Sequence, residues 1–563
     1  MEGDVILSDL VGETALDTEP LPGPTHQPEP EPEPEPELEP EPADEHQPGP
    51  QPKRRRIAKP ARKEYKWSKS NKPVASRKLP IFPEPNYMAY KGLPPKGLYE
   101  LFISWEFLDR VKDLSNAYAL KEFGVSYNIT RQELDIFFAI LLLSGYCTVT
   151  DYEMYWSTSE DCGNRMVKAA MSRDRFRRVK RSLHFGSEPD KEGATPDKYK
   201  KVRMLIKHMQ EKFGEHFMPE QELSHDEAMI KYFGKHGLKQ AIRNKPIRFG
   251  FKAWVLTTVS GYVVTFDLYQ GKGVGEHHEK NVEAVGAAGA TLLDLVDLLP
   301  EEKKSLAYHF FGDNFFSSMK LVEELTASGY FYTGTVRKDR LKGNPPLTTV
   351  DAFRKKDRGY HETAVLQDKS QIVVRWNDNA PVTMLSNCLG TEPIGTCKRW
   401  SRESKKRVDV PQPNVVAHYN PKMGGVDRFD QNTNHLRIKI GGKKWYYPIV
   451  TWILDAAVQN AWQLHKKTGG KMSALDFRRE IVCIILKTGS LDRVQQHTPS
   501  GKKTTPGWEE LRYDNIGHLP ISRPELHCRC AYDGCNSRSR FHCIKCERAI
   551  CMDHFIVFHT GTA

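Results

Sequence analysis

The spacing of apolar side chains divides the chain into a helical part and a mixed part. From about residue 97 to 220, apolar residues recur every three or four positions in four segments. This spacing predicts amphipathic helices that pack on one another. The four segments read LYELFISWEFLDRVKDL, TRQELDIFFAILLLSGY, MSRDRFRRVKRSLHF and KYKKVRMLIKHMQEKFGEHF.

After residue 220 the pattern changes to short runs rich in β-branched and aromatic residues. The runs QELSHDEAMIKYF, RFGFKAWVLTTVSGYVVTFDLY, SLAYHFFGD and GYFYTGTVR predict strands, and the second contains a Ser-Gly turn. Helices are expected at about 283–299 and 316–328. Strands that alternate with helices in this way favour an α/β domain.

The α/β domain is interrupted by a lysine-rich, weakly β segment, which is followed by a long apolar helix, WYYPIVTWILDAAVQNAWQLHKK. We therefore divide the chain into a tail and basic segment at 1–80, a first helical part at 81–220, the first part of the α/β domain at 221–345, a β-rich insertion at 346–412, a last acidic motif of the α/β domain at 413–432, a second helical part at 433–490, a linker at 491–524 and a Cys/His-rich module at 525–563.

Charge is distributed very unevenly along the chain. Residues 1–52 hold fifteen Asp or Glu and no Lys or Arg, so the remaining 511 residues carry 83 basic against 57 acidic side chains. The Glu-Pro repeat in this acidic tail offers neither backbone donors for a helix nor apolar surface, which predicts disorder. A body this basic indicates a polyanionic partner such as nucleic acid, the alternative being a well-solvated surface.

Two segments concentrate the positive charge. The run KRRRIAKPARK at 53–63 is typical of a nuclear import signal or a phosphate-binding arm, unless it is only a basic linker. The third predicted helix carries a basic face that lies along a DNA backbone or forms a solvated exterior. The DNA contacts expected on that face are Arg173, Arg177, Arg178 and Arg181.

The start of the chain lacks the basic and apolar regions of a signal peptide, and no apolar run reaches the length of a membrane span. We therefore expect no membrane contact. Five scattered cysteines fit a reducing compartment better than a disulfide framework.

The other six of the eleven cysteines fall in the last 36 residues. Cys and His pairs separated by two to four residues suit tetrahedral zinc, because each short loop lets both side chains reach one ion. The module either only holds a small fold together or also presents a binding surface. Two tetrahedral Zn²⁺ sites need eight ligands, and an eighth ligand from Cys528 or His527 would complete a set of seven. The seven are Cys530, Cys535, Cys543, Cys546, Cys551, His554 and His559.

Three acidic sites stand at the ends of predicted strands or the start of a helix. Asp226 lies in SHDEAM, Asp313 ends AYHFFGD, and Asp427 and Asp430 open a helix after a Gly-Gly pair. Carboxylates brought together in this way can hold two divalent ions for phosphodiester chemistry. Each acid alone is equally compatible with a helix cap or a surface ion pair.

Ordered motifs make the chain resemble the piggyBac transposase family. From YWSTSE at Tyr155 onwards it contains SHDEAMIKYFGKH, KPIRFGFKAWVL, FGDNFFSS, GTVRKDR, VVRWNDNAPVTMLSN, YNPKMGGVDRFDQ and the terminal Cys/His finger. It departs from the family in its C-x4-C spacing at Cys530 and Cys535 and in Asp339, where an asparagine is more usual. The acidic tail is not a family motif.

The resemblance implies an RNase H-like α/β catalytic domain with a β-rich insertion, a helical DNA-binding and dimerisation domain built from both sides of it, and a C-terminal cross-brace zinc finger. It implies Asp226, Asp313 and Asp427 as catalytic residues. Those three and Asp430 would be ligands of Mg²⁺ or Mn²⁺. Further candidate DNA contacts in the matching motifs are Lys252, Arg337 and Lys338.

The implied activity is cut-and-paste transposition by a nuclear homodimer that acts on double-stranded DNA, at terminal inverted repeats and TTAA targets. The alternative is a domesticated nuclear DNA-binding or regulatory protein that keeps the fold without moving DNA.

Overall fold

The computed structural model describes residues 64–70, 74–186, 197–242, 245, 247–271, 276–402, 404–496 and 517–560. The acidic tail, the basic run at 53–63 and most of the linker lie outside the described residues. Within the described ranges, no helix combines the length and the apolarity that a membrane-spanning segment needs.

The first part of the described chain is helical, as the apolar spacing predicts. The first predicted helix is two helices in the structure, because Ser104 accepts a hydrogen bond from the backbone N–H of Phe107 and starts a new one. Thr130 and Glu133 form a capping box at the start of the next. The elements are β1 Trp67–Ser70, α1 Pro95–Glu100, α2 Trp105–Phe123, α3 Arg131–Leu143, α4 Arg165–Ala170, α5 Arg173–Ser182 and α6 Arg203–His216.

The α/β domain follows in the expected order. The helix expected at 283–299 is broken at Gly286, whose φ of +83° ends one helix and begins another. The elements are β2 Glu222–Lys231, β3 Gln240–Ala241, β4 Phe249–Thr258, β5 Val263–Leu268, α7 Glu276–Val285, α8 Ala287–Asp297, α9 Glu301–Lys304, β6 His309–Gly312, α10 Met319–Ala327 and β7 Phe331–Thr335.

The insertion and the rest of the chain complete the fold. The elements are α11 Val350–Arg354, β8 His361–Leu366, β9 Ile372–Asn377, β10 Pro381–Ser386, β11 Gly395–Ser401, β12 Lys406–Gln412, α12 Asn414–Met423, α13 Gly425–Asn434, α14 Tyr447–Lys467, α15 Ala474–Gln496, β13 Pro520–Ser522, β14 Cys528–Arg529, β15 Arg538–Ser539, β16 Phe541–Cys543 and α16 Met552–Thr560.

One ten-stranded sheet runs through the catalytic and inserted regions, in the order β1-β8-β9-β10-β7-β6-β2-β4-β3, with β5 paired to β4. Strands β2, β6 and β7 are parallel neighbours, and every other pair in the sheet is antiparallel. Strand β10 of the insertion pairs with β7. The insertion therefore continues the central sheet.

The helices before and after the sheet pack together, since α15 contacts α3 and α4. Buried apolar side chains form one large cluster between these helices and the sheet, a second in the insertion and a third in the terminal module. Residues of β2 and β6 on either side of the predicted acids belong to the large cluster, among them Leu223, Ala228 and Phe310.

Candidate active site and zinc module

Two of the predicted catalytic acids lie side by side at the point where β6 ends, which we call the acidic edge. Asp313 follows β6 as expected, whereas Asp226 lies within β2 and not at its end, because β2 continues to Lys231 along β4. Strands β2 and β6 are parallel, and His225 is paired with Gly312. Asp226 and Asp313 each follow these paired residues directly. Because neighbouring strands lie about 4.8 Å apart, the register brings the two aspartates side by side.

The backbone after β6 holds the Asp313 carboxylate in place. Its Oδ1 accepts a hydrogen bond of 2.8 Å from the N–H of Phe315, and its carbonyl oxygen accepts bonds from the N–H groups of Phe316 and Ser317. Burial raises the pKa of Asp313, and the neighbouring Glu227 raises it further. The turn therefore presents a carboxylate whose negative charge is incompletely offset.

Helix α13 brings the third acid to this edge. The Ser224 hydroxyl, two residues before Asp226, donates to the carbonyl of Met423 and accepts from the N–H of Gly425 at 3.3 Å. The start of α13 is thereby fixed to β2. Asp427 lies in the first turn of the helix and is exposed.

Glycine at position 425 is required by this close approach. A Cβ atom there would lie 2.4 Å from Thr257 Oγ1 and 2.6 Å from the carbonyl oxygen of Thr258 on β4. Close packing of α13 against the sheet thus explains the glycine at the second position of the Gly-Gly pair. At Gly424, by contrast, a Cβ atom would meet nothing within 4 Å.

A lysine that the sequence did not single out lies among these acids. Lys245 Nζ is 3.3 Å from Glu227 Oε1 and 4.0 Å from Asp226 Oδ2. Burial lowers the pKa of Lys245, but the charges of Asp226 and Glu227 outweigh it and raise the pKa overall, with a further contribution from Asp427. Burial raises the pKa of Asp226 to about 7 despite Lys245.

The fourth predicted ligand, Asp430, faces another partner. Its Oδ1 accepts a hydrogen bond of 2.8 Å from Arg437 Nη2, and burial raises its pKa while Arg437 opposes that rise. Asp427 has no such ion pair among the described residues. The two acids of this helix therefore have different surroundings.

The donor set at this edge fits a hard divalent cation. Carboxylate oxygens are the ligands that Mg²⁺ and Mn²⁺ prefer. Burial, with a smaller contribution from neighbouring acids, raises the pKa values of Asp226 and Asp313, and a bound cation would stabilise their charged forms. Within the described ranges, however, the aspartates do not bring three ligand atoms within 4.8 Å of one another, as two Cys/His groups do. The ammonium group of Lys245 supplies positive charge there instead.

The basic face of α5 is less open than the sequence suggests. Arg177 makes two hydrogen bonds to Glu153, and the Arg181 guanidinium lies 4.0 Å from the centre of the Phe123 ring. Arg173 lies 3.6 Å from Asp174, whereas Arg178 is exposed and forms no ion pair with a described residue. Arg178 is thus the one of these four arginines whose charge has no acidic or aromatic partner among the described residues.

The other predicted DNA contacts surround the acidic edge. Arg337 Nε donates to Asn314 Oδ1 at 3.0 Å, directly beside Asp313, and Lys338 is exposed in the following turn. Lys252 lies over the Trp254 ring at 3.9 Å. Burial lowers the pKa of Lys252, and the charge of Glu227 opposes that change.

The terminal module contains two groups of four metal-ligating side chains. In each group the ligand atoms lie within 4.8 Å of one another; one group is Cys530, Cys535, Cys551 and His554, and the other is His518, Cys543, Cys546 and His559. Along the chain the two groups alternate, which is the interleaving expected of a cross-brace.

The distances within these groups suit zinc. Cys551 Sγ lies 3.7 Å from Cys530 Sγ and 4.0 Å from Cys535 Sγ, and a tetrahedral ion with Zn–S bonds of about 2.3 Å separates two sulfurs by about 3.8 Å. His559 Nδ1 is hydrogen-bonded to the Phe555 carbonyl at 2.8 Å. That bond orients the ring with Nε2 towards the ligand set, as supporting hydrogen bonds at metal sites do.

The eighth member is His518, which corrects the expectation that Cys528 or His527 supplies it. Cys528 is exposed in β14 and lies outside both groups. His518 Nδ1 lies 3.3 Å from Cys543 Sγ and 3.4 Å from Cys546 Sγ. Strand β13 pairs with β16 and carries His518 to the site, so the module extends upstream of residue 525.

Comparison with known proteins agrees with this architecture. A family model described as Transposase IS4 matches residues 94–462. Human PiggyBac transposable element-derived protein 3 is 37% identical over 502 residues, which are 88% of this chain and 81% of that protein. Human PiggyBac transposable element-derived protein 2 is 36% identical over 441 residues, which are 78% of this chain and 72% of that protein.

A solved structure shares the fold. The cryo-EM structure of a piggyBac transposase synaptic complex with hairpin DNA has a TM-score of 0.58 and 20% identity to this chain, and the match covers 84% of this chain and 97% of that one. The likeness confirms the expected RNase H-like α/β core with its insertion and helical segments. The chain belongs to the piggyBac family of DDE transposases and transposase-derived proteins.

Proposed function

We propose that this chain is a metal-dependent DNA transposase that excises DNA at terminal inverted repeats and joins it at TTAA sites. The observation that carries this proposal is the convergence of Asp226 and Asp313 at one sheet edge with Asp427 on a helix that Ser224 fixes to that edge. A purely structural role would not need three carboxylates brought there by three separate segments.

Asp226, Asp313 and Asp427 would hold the divalent ions. When bound, such ions activate a water or a 3′-hydroxyl and stabilise the leaving oxygen of a phosphodiester. Lys245, at 4.0 Å from Asp226, partly offsets the charge of the acids and opposes the rise in the pKa of Asp226 that burial causes. Lys252, Arg337 and Lys338 surround the same edge and would position the phosphate backbone, because positive side chains fix a duplex through its phosphates.

Three further parts of the proposal concern partners and location. Arg178 on α5 and the terminal zinc module would add contacts to double-stranded DNA. The chain would act as a homodimer, since excision needs two element ends. It would act in the nucleus, and a fluorescent fusion that leaves the nucleus when the basic run at 53–63 is neutralised would support that location.

The decisive experiment combines an excision assay with a binding assay. Asp313→Asn keeps the size of the side chain and its acceptor oxygen but removes the charge. It should abolish excision from a donor plasmid and leave binding to repeat DNA close to that of the unaltered chain. Loss of excision and binding together would indicate misfolding, and retained excision would refute the assignment of Asp313.

A second function is a domesticated DNA-binding or regulatory protein. The names of the two human relatives, both "transposable element-derived", favour this alternative. Inverted repeats and a duplicated TTAA on both sides of the coding locus would favour the transposase, because a domesticated gene has no mobile ends to keep. Their absence, together with DNA binding by an unaltered chain that does not excise a repeat-flanked donor, would favour the alternative.

A further inference from the structure

Strands β11 and β12 of the insertion form a separate two-stranded ribbon. Among the described strands they pair only with each other, with Trp400 opposite Arg407 and Lys398 opposite Asp409. Strands of seven residues span about 24 Å.

The two faces of the ribbon differ. Val410 is 3% exposed and packs in the cluster of the insertion, whereas Trp400 on the opposite face is 59% exposed. Directly opposite residues in a β ladder share a face, so the exposed Arg407 accompanies Trp400. Lys398 and Asp409, which form a 3.1 Å ion pair, lie two positions along on the same face.

Side chains of the insertion hold the ribbon both at its base and close to its tip. Asp378 accepts hydrogen bonds from Arg399 at 2.9 Å and from Arg358 at 2.7 Å. Arg358 also donates to the carbonyl of Trp400, and the indole N–H of Trp376 donates to the carbonyl of Pro411 at 2.8 Å. These bonds fix one face of the ribbon against the insertion and leave the face with Trp400 exposed.

The tip of the ribbon is strongly basic. Between residues 401 and 407 the sequence contains four basic side chains and one acidic side chain, Glu403. Within the part of the chain that the structure describes, these four cations form no ion pairs. They are Arg402, Lys405, Lys406 and Arg407.

We propose that the β11–β12 ribbon enters the major groove of duplex DNA, with Trp400 against the base edges and the tip cations on the flanking phosphates. A groove about 12 Å wide admits a two-stranded ribbon. The positive charge of the tip favours a polyanionic partner. The exposed side chain of Trp400 favours a polyanion that also offers apolar groups, as the base edges of DNA do. This inference rests on the proposed DNA-binding function and adds a contact surface outside the acidic edge, α5 and the zinc module.

The test uses the zinc-loaded full chain and a fluorescent duplex of mixed sequence, with binding measured by anisotropy over a range of salt concentrations. Replacing Lys405 and Arg407 by glutamine should lower the log–log salt slope by about 1.8, because each lost phosphate contact removes about 0.9. The matched control replaces Lys280 and Lys320, two exposed lysines on α7 and α10, and should leave the slope unchanged.

A second variant separates the role of the tryptophan from that of the charges. Trp400→Ala should weaken duplex binding by roughly fivefold or more, as loss of a contact residue of this kind does, and should leave the salt slope unchanged. Trp400→Phe should restore most of the affinity. Equal zinc content and equal melting temperature would show that each variant is folded.

The outcomes distinguish this inference from the proposed function. If the unaltered chain does not bind the duplex, the ribbon proposal falls, and the proposed function falls as well only if repeat DNA is not bound either. If it binds and the ribbon variants bind with the same affinity and slope, only the ribbon proposal is overturned, and the surface is then one for a protein partner. If the ribbon variants bind a single-stranded oligonucleotide more weakly but bind the duplex as the unaltered chain does, the ribbon proposal is also overturned.

Discussion

Substituting Gly425 by alanine tests how the third acid is placed. A Cβ atom at this position would lie 2.4 Å from Thr257 Oγ1, 2.6 Å from the carbonyl oxygen of Thr258 and 2.9 Å from Ser224 Cβ. The threonine hydroxyl can rotate away, but the carbonyl belongs to a central strand and cannot. The first turn of α13 must therefore move away from the sheet.

The size of that movement follows from ordinary contact distances. A methyl group needs roughly 3.4 Å from a carbonyl oxygen, so the helix start must shift by nearly 1 Å. Overpacking of this kind costs about 1 to 3 kcal/mol of stability. Asp427 lies two residues further along the same turn, and a catalytic group displaced by about 1 Å costs on the order of a hundredfold in rate.

The neighbouring glycine provides the control. Gly424→Ala introduces the same methyl group and restricts the unfolded chain equally, yet its Cβ atom meets nothing within 4 Å. Excision from a donor plasmid and Mn²⁺ binding to the zinc-loaded chain should both fall in Gly425→Ala and remain close to normal in Gly424→Ala. If the two variants behave alike, the close approach of α13 to the sheet does not position Asp427.

Three further predictions concern charge and metal. Burial raises the pKa of Asp226 from 3.8 to about 7, so its ionisation destabilises the fold as the pH rises through that range. With zinc bound and no Mg²⁺ or Mn²⁺ added, Asp226→Asn should relieve about 4 kcal/mol near pH 8 and less than half of that near pH 5; equal effects on melting temperature at the two pH values would contradict this. Elemental analysis should find two zinc ions per chain, one in His518→Ala and two in Cys528→Ala; two in both would remove His518 from the ligand set. Arg178→Gln should lower the salt slope of duplex binding by about 0.9, and an unchanged slope would make α5 a solvated surface.

The local pattern of apolar and β-branched residues was sufficient to predict many of the helices and strands that the structure describes. Apolar spacing predicted α3, α6 and α14, and alternating or β-branched runs predicted β2, β4 and β6, because both signals depend on neighbours within a few residues. It did not predict that β10 pairs with β7, since strand pairing across an insertion is a long-range property. The insertion was therefore expected as an interruption and proved to be an extension of the sheet.

The parts of the candidate site that the sequence missed are also long-range. His518 lies twelve residues before Cys530, beyond the short spacings that reveal zinc pairs, and pairing of β13 with β16 brings it in. Lys245 reaches the acids from outside the strands that carry them. The partner of Arg177 is Glu153, 24 residues away, so the helix alone gave no sign of that ion pair.

One hydrogen-bonded sheet connects the acidic edge with the residue that anchors the ribbon. Asp313 follows β6, which pairs with β7, and β7 pairs with β10. Strand β10 pairs with β9, and Asp378, which follows β9, anchors Arg399 of the ribbon. Since paired strands move together, DNA held by the ribbon would be held at a fixed distance from the acids. The insertion would then determine which phosphodiester reaches the acidic edge, because the acids themselves do not recognise a DNA sequence.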